Sequence, residues 1–462
     1  MPQAVSSDTS LESPPLPPGP GLPSVLQLLL LYKRPTEFLN DCAAKYGTTF
    51  TLRVPGIPPF IQTSEPALIE AIFKGDPEIF LAGRANIGLK PVVGVNSLLL
   101  LDGASHRHER KLIMPTFLGK RMHAYGLTIR ETVNRHIDRW PVQRQFTLLR
   151  ETQDATFEII SRLVFGFDDA KTIAGFGHHI HRILKLAILL FPNSEGEIMA
   201  ERPARWLGKV FPRCDVFAAL KSVDEMIDVE YQKRISANFG DREDVLSLLV
   251  KSRYDDGHAM SRAEIRDELM TLLMAGHETS ATILAWSLNH LCRHPEGLER
   301  LQDEIQEHGH GNPIPLDAIP HLKYLDAVIK ETMRITPVFS LVARVLKESQ
   351  TIAARTYPAE VVLSPNIYGT HHRSDLWGDP EAFRPERFLN GEANPFHYFP
   401  FGGGTRICIG MNFAFYEMKI FIAEVVRRTR FSLARGYQAK VVRRNNTLAP
   451  SRGVPLILNA KS

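Results

Sequence analysis

The stretch that most limits what this chain can become starts at Ser261 with SRAE and runs through LMTLLMAGHETSATILAW to just before Pro295. Ser261 can cap the first turn, and Glu264 three residues later can reach back to it as a capping box. At ~1.5 Å per residue the span is about 45 to 50 Å long, the length of a helix that crosses a large domain. It is apolar on most sides, so it must be buried. A membrane span is the competing reading, and His277 with Glu278 in its middle argues against it.

Around this helix, amphipathic stretches recur at 102–119, 122–140, 216–239, 297–308, 319–335 and 409–428. Thr48 to Pro55 and the segment around Phe60 read as short strands, and a second strand-rich patch runs from Val345 to Leu363. The expected fold class is mainly α with small β-sheets. With 462 residues, 44% of them hydrophobic, the chain can bury a large core. Residues 1–15 are Ser/Pro-rich and expected to be disordered, LPPGPG (Leu16 to Gly21) is a stiff lead-in, and 16–462 read as one catalytic domain. VLQLLLLY (Val25 to Tyr32) is too short to span a bilayer, which leaves a buried or a surface-lying first helix and no transmembrane anchor. A net charge of +4 gives no reason to expect nucleic acid as a partner. Four cysteines without disulfide or zinc spacing suit a reducing, cytoplasmic setting.

One of those cysteines, Cys408, lies in FGGGTRICIG, Phe401 to Gly410. A thiolate needs help to stay deprotonated. Glycines let backbone N–H groups turn toward the sulfur, and the helical run Met411, Phe415, Met418, Ile422, Val425 puts Cys408 at a helix N-terminus. Arg406 adds a nearby cation. An isolated cysteine is more often an inert buried side chain. Here, however, Phe401, Gly402, Gly404, Arg406, Cys408 and Gly410 match FGxGxRxCxG at each fixed position. The stretch resembles the haem-binding loop of the cytochrome P450 family, with the fold that goes with it: haem between a long central helix and the cysteine loop. The resemblance implies that Cys408 is the proximal ligand of a haem b iron, a thiolate that favours O–O cleavage.

Other segments extend the resemblance from about Leu16 to Leu458. KETMR places Glu331 and Arg334 on one helical face and FRPERF supplies Arg387. By resemblance these three form the buried charge triad of the proximal scaffold. AGHET, Ala275 to Thr279, is similar to the family's oxygen-activation motif, which gives Thr279 and Glu278 the delivery of protons to dioxygen. Thr279 can bond back to the Ala275 carbonyl, and Gly276 leaves room beside it; His277 has no assigned role. His106 and Arg110, an i, i+4 pair, together with Arg344 and Arg406, fall where the family binds the haem propionates. Phe401, Gly402, Gly410, Ala275 and Gly276 complete the expected cofactor contacts. The chain departs from the family at TIAARTYPAE (Thr351 to Glu360), which lacks the glycines usual in that hairpin.

The implied reaction is a monooxygenation: two electrons and two protons enter, one oxygen atom goes to the substrate and one leaves as water. No strand-associated GxGxxG is present, so electrons from NAD(P)H are expected through an external donor, a ferredoxin with its reductase or a flavodoxin-like protein. Arg107, Lys111, Lys120, Arg121 and Lys419 form either its docking patch or a solvated charged face. A monomer is expected. The substrate pocket should draw on Ile87 to Val95, Ala187 to Phe191, Leu272, Ala275, Val338, Phe339, Val342, Thr447 and Leu448, although pocket wall and core packing look alike in sequence. Mostly apolar, it suits a fatty acid, terpenoid or steroid. Two other classes remain open: a haem-thiolate isomerase, dehydratase or peroxygenase, and a haem carrier or gas sensor. The acid–alcohol pair speaks against the former and the lack of a visible signalling domain against the latter.

Overall fold

The computed structural model describes residues 15–117, 119, 121–190, 216–236, 242–444 and 447–461. Its axis is the helix Arg262–Arg293, 32 residues long, with both halves of the capping box made. Ser261 Oγ accepts the Glu264 N–H at 3.2 Å, and Glu264 Oε2 accepts the Ser261 N–H at 2.6 Å. Against it lies the helix Leu148–Phe165, which buries Leu148, Thr152, Ala155, Thr156, Ile159 and Leu163 on one stripe. The hydroxyls of Thr152 and Thr156 donate to the Ala281 and His277 carbonyls at 3.0 Å each, so polar groups on the buried stripe spend their hydrogen bonds on the central helix itself. That flanking helix stops at Gly166, whose φ of +69° only glycine adopts without strain.

The amphipathic stretches form Gly103–Ile113 with a short turn to Phe117, Arg121–Arg139, Val216–Ser236, Pro295–Gly309, Lys323–Ile335 and Met411–Arg428. The last two also pack on the central helix. One apolar core runs from Val92 to Leu458 and holds these helices together; a smaller one, from Ile61 to Phe399, lies under the sheet.

The larger sheet has five strands in the order Thr49–Leu52, Phe60–Thr63, Val362–Pro365, Arg344–Leu346, Phe80–Leu81. Phe60–Thr63 runs parallel to Val362–Pro365, and the other pairs are antiparallel. Arg344 sits opposite Leu363, on a strand buried at all three positions. Between these strands the segment without glycines still makes its hairpin, Gln350–Ile352 against Arg355–Tyr357. Ala353 and Ala354 carry φ of +48° and +63°, the left-handed geometry that a two-residue hairpin demands and alanine resists.

The N-terminal apolar run is surface-lying. In the helix Ser24–Lys33 only Gln27 is buried, while Val25 is 68% and Tyr32 53% exposed. Gln27 explains the anchoring: it donates to the Pro20 and Leu22 carbonyls and accepts the Arg53 N–H. Among the described residues no helix is long and apolar enough to cross a membrane.

Candidate active site

The glycines of the cysteine loop serve close packing as much as turning. Gly402 and Gly404 have φ of +71° and +64°, and a Cβ on Gly404 would lie 2.0 Å from the Phe73 carbonyl oxygen. The loop closes when the Cys408 N–H donates to the Phe401 carbonyl at 3.0 Å; the Phe401 ring rests 5.6 Å from that of Phe415. Gly410 then caps the helix Met411–Arg428, and its N–H reaches the Cys408 sulfur. Cys408 keeps accessible surface, yet desolvation pushes its thiol above the usual range. Both hold if the side chain opens on an internal space rather than on bulk water. The Gly410 N–H and the Arg110 charge pull the thiol down, and burial outweighs them.

That cation corrects the sequence reading, which gave the supporting charge to Arg406. Arg406 is bound instead to the Asp102 carboxylate and to the carbonyls of Leu101 and, at 3.3 Å, Leu98. Asp102 was not singled out in the sequence. It precedes the helix Gly103–Ile113 and also accepts the N–H groups of Gly83 and Arg84 at 2.7 and 2.9 Å. Its position just before a helix was the available signal.

His106 and Arg110 share one face of Gly103–Ile113. Burial, then Arg406, Arg110 and Arg344, push the His106 imidazole down to about 3, so it is a neutral donor. Arg344 is 7% exposed and held down to about 10 by burial and by Arg406. Its guanidinium reaches only carbonyls, those of Ala343 at 2.8 Å and Gly403 at 3.5 Å. Neither Arg110 nor Arg344 forms an ion pair among the described residues. Buried cations that lack a carboxylate partner of their own are costly unless an anion joins them.

On the central helix the Thr279 hydroxyl donates to the Ala275 carbonyl at 2.6 Å. Ala275 is exposed and Thr279 half-buried, although Leu269–Leu273 and Ser280–Leu291 on either side are buried. An accessible patch in the middle of a core helix marks an internal opening. Glu278 is buried, and its carbonyl accepts the Thr282 hydroxyl at 2.8 Å. His277 turns toward the Phe157 ring, 5.3 Å away edge-on, and burial pushes it down to about 4. A Cβ on Gly276 would meet Ile160 Cδ1 at 3.0 Å, so the bare backbone there lets two helices close up.

Glu331, Arg334 and Arg387 do come together. Arg334 grips Glu331 with two bonds of 2.7 and 2.9 Å, both side chains wholly buried, and Arg387 Nε stands 3.3 Å from Glu331 Oε1. The Arg384 N–H also donates to Glu331 at 2.9 Å, and Arg334 takes the His371 and Ala382 carbonyls. This cluster ties the segment 382–388 to the helix Lys323–Ile335.

Of the expected pocket residues, Leu272, Val338 and Leu448 are buried, whereas Phe339 and Val342 keep accessible surface. The Leu448 N–H donates to the Val338 carbonyl at 2.7 Å, which joins those two segments. The side chains of Ala187 to Phe191 lie outside the described residues, as does Lys120. Lys419 does not belong to a basic surface patch. It is 5% exposed and paired with Asp326 at 2.8 Å, because its helix position faces the core. Arg107 and Lys111 are exposed, and Lys111 pairs with Asp255 at 2.8 Å.

A cytochrome P450 family model matches residues 15–454 of the chain. "Putative cytochrome P450 135B1" of Mycobacterium bovis is 33% identical over 449 residues, 96% of this chain and 92% of that protein. "Putative cytochrome P450 135A1" of Mycobacterium tuberculosis is 33% identical over 446 residues, 96% and 95% of the two chains. Among solved structures, cyanobacterial CYP120A1 with retinoic acid bound superposes with a TM-score of 0.82 at 24% identity, covering 97% of this chain and 100% of that one. The cytochrome P450DA heme domain does so with a TM-score of 0.84 at 22% identity, covering 97% and 98%. A mainly α fold around one long helix, with an accessible thiol and the guanidiniums of Arg110 and Arg344 unpaired among the described residues, is that of a haem-thiolate oxidoreductase. The chain belongs to the cytochrome P450 family and is a monooxygenase that uses haem and takes electrons from external partners.

The residues present fit that cofactor. A haem needs a soft axial donor and cations for two propionates. The chain has an accessible sulfur at Cys408 and two buried or half-buried guanidiniums without carboxylate partners, Arg110 and Arg344.

Proposed function

We propose that this P450 hydroxylates or epoxidises an apolar small molecule, with Cys408 as the proximal ligand of a haem b iron. The observation that carries the reading is the accessible Cys408 thiol inside the fold, near Arg110 and the cluster of His106, Arg344 and Arg406. Haem, when bound, supplies the redox chemistry that activates dioxygen. The remaining work belongs to this chain's side chains. Arg110, Arg344, Arg406 and the neutral His106 hold the propionates. The Gly410 N–H and Arg110 stabilise charge on the sulfur. Phe401, Gly402 and Gly410 line the cysteine side, and Ala275 and Gly276 the other.

Thr279 and Glu278 move protons to the reacting oxygen: the hydroxyl gives up its bond to the Ala275 carbonyl to donate there, and the buried carboxyl one residue earlier resupplies the proton. Glu331, Arg334 and Arg387 are structural and hold the segment that leads into the cysteine loop. Leu272, Val338, Phe339, Val342 and Leu448 offer apolar wall, which suits a fatty acid, terpenoid or steroid. Residues 16–462 act as one catalytic, monomeric domain, and the free, buried Cys42 suits a reducing cytoplasm.

Electrons from NAD(P)H arrive through a ferredoxin with its reductase, or a flavodoxin-like donor. Support for an acidic donor comes from a surface concavity of about 390 Å³ that Lys111, Arg121, Lys251 and Arg253 line against one carboxylate, Asp255. It lies on the outer face of the helix whose inner face carries His106 and Arg110, so a docked donor would stand about one helix diameter, ~10 Å, from those residues.

The test is a reduced, carbon-monoxide difference spectrum. Wild type should give the thiolate-type band and Cys408→Ser should lose it, and turnover should require dioxygen and a donor. Product formed without oxygen or peroxide would overturn the monooxygenase reading.

A further inference from the structure

Between the helix Gly103–Ile113 and the first turns of the central helix lie two carboxyls that the proposed reaction does not use. Glu109 is 4% exposed and Glu268 not at all. Glu109 Oε2 accepts the Tyr254 hydroxyl at 2.7 Å, and Glu268 Oε1 accepts the Leu98 N–H at 2.7 Å. The second oxygen of each, Glu109 Oε1 and Glu268 Oε2, is buried without a partner. No cation pairs with either carboxyl among the described residues. Two ionised groups so placed would repel each other and leave two acceptors stranded. A proton on one of the two removes one charge from the interior and gives that carboxyl an O–H donor of its own.

Glu268 also stands at the root of what holds Arg406. Three central-helix residues clamp three consecutive residues of the segment before Gly103. Asp267 Oδ2 accepts the Asn96 N–H and side-chain amide at 3.0 Å each, Thr271 Oγ1 meets Ser97 Oγ at 2.6 Å, and Glu268 takes the Leu98 N–H. Leu98 is held at both ends of its backbone, since its carbonyl accepts Arg406 Nη1 at 3.3 Å. The Leu101 carbonyl receives the same guanidinium.

We propose that Glu268, protonated, is a positioning residue that holds the Ser97–Leu101 segment so that its carbonyls orient Arg406 toward the cofactor. This rests on the reading that Arg406 meets a haem propionate. Burial, then the Glu109 charge, holds the Glu268 carboxyl well above the usual range, whereas Glu109 is raised by burial and by Glu264. Glu268, with no exposed surface where Glu109 keeps 4%, is the member that carries the proton in this proposal. The other groups acting there are Tyr254, whose hydroxyl is already a donor to Glu109, and Asp267, which is engaged by Arg266 and Asn96.

The experiment uses the haem-loaded full chain and the variants Glu268→Gln and Glu268→Ala. Glutamine reproduces a neutral acid, with an oxygen for the Leu98 N–H and an amide donor in place of the O–H, so its reduction potential and turnover should stay within about twofold of wild type. Alanine should shift the potential and speed haem loss. The wild-type potential should drift as rising pH removes the proton, and the Gln variant should stay flat. Infrared spectra of the wild type at neutral pH should hold a protonated-carboxyl stretch, distinct from that of Glu417, that Glu268→Gln removes while the Glu417 band stays. The proposal falls if that stretch is missing, if Gln behaves as Ala does, or if Ala leaves the potential unchanged. Should Ala fail to fold, the Gln and infrared arms still decide. A wild type without the thiolate-type carbon-monoxide band would instead sink the cofactor reading, and the infrared arm would still judge the proton.

Discussion

Thr279 is the residue on which the proposed chemistry turns most directly. Its bond to the Ala275 carbonyl fixes a hydroxyl on an accessible patch of the central helix. Thr279→Ala should lower product formation by about 10²-fold or more while the thiolate-type spectrum persists, and Thr279→Ser should recover most of the rate. Steady-state product assays with a fixed donor decide this. Glu331 and Arg334 act differently. Either one changed to Ala leaves an uncompensated buried charge, a loss of roughly 3 to 5 kcal/mol that denaturant unfolding would register. A third residue is legible only in the structure. Glu417 lies wholly inside the fold, takes a hydrogen bond from Ser280, and is pushed up to about 8 by burial. An acid raised in this way is protonated at no cost below its unfolded pKa, ~4.5, and loses stability as pH rises from there to about 8. Glu417→Gln should therefore remove a pH-dependent loss on the order of a few kcal/mol between those limits, measured as melting temperature against pH.

At the level of elements, propensity and tertiary demand disagree in one visible place. The hairpin Gln350–Ile352 to Arg355–Tyr357 forms with two alanines at positive φ. Sheet pairing on both sides imposes the turn, and the alanines absorb the strain. Replacing Ala353 and Ala354 by Asn and Gly should stabilise the protein by about 1 to 2 kcal/mol without altering turnover, because the hairpin lies outside the proposed site. The central helix is the opposite case, since local signals and final structure agree down to the capping box. Ser261→Ala should cost about 1 kcal/mol. Helix boundaries elsewhere came within a few residues of the amphipathic stretches, as expected where a single apolar stripe decides burial. The first helix could not be placed from its composition, because an apolar run reads the same whether it is covered or left on the surface.

For the whole molecule, charge distribution decides how electrons enter. If an acidic donor docks on the concavity lined by Lys251 and Arg253, the double change Lys251→Glu, Arg253→Glu should raise the donor concentration for half-maximal reduction about tenfold or more, with a steeper loss at high salt in wild type than in the variant. The carbon-monoxide spectrum should not move. Sequence alone determined the central helix, the cysteine loop and the family, because these depend on spacing within short segments: a cap, a period, glycines where the backbone must turn. It also brought Glu331, Arg334 and Arg387 into one account. It took the folded chain to show that Arg406 is paired with Asp102 while the Arg110 charge acts on the sulfur, that Lys419 is buried, and that Glu109 and Glu268 are buried carboxyls without a cation partner among the described residues. Those outcomes depend on which side chains from distant segments share one interior, where desolvation and neighbouring charge outweigh anything a residue carries by itself.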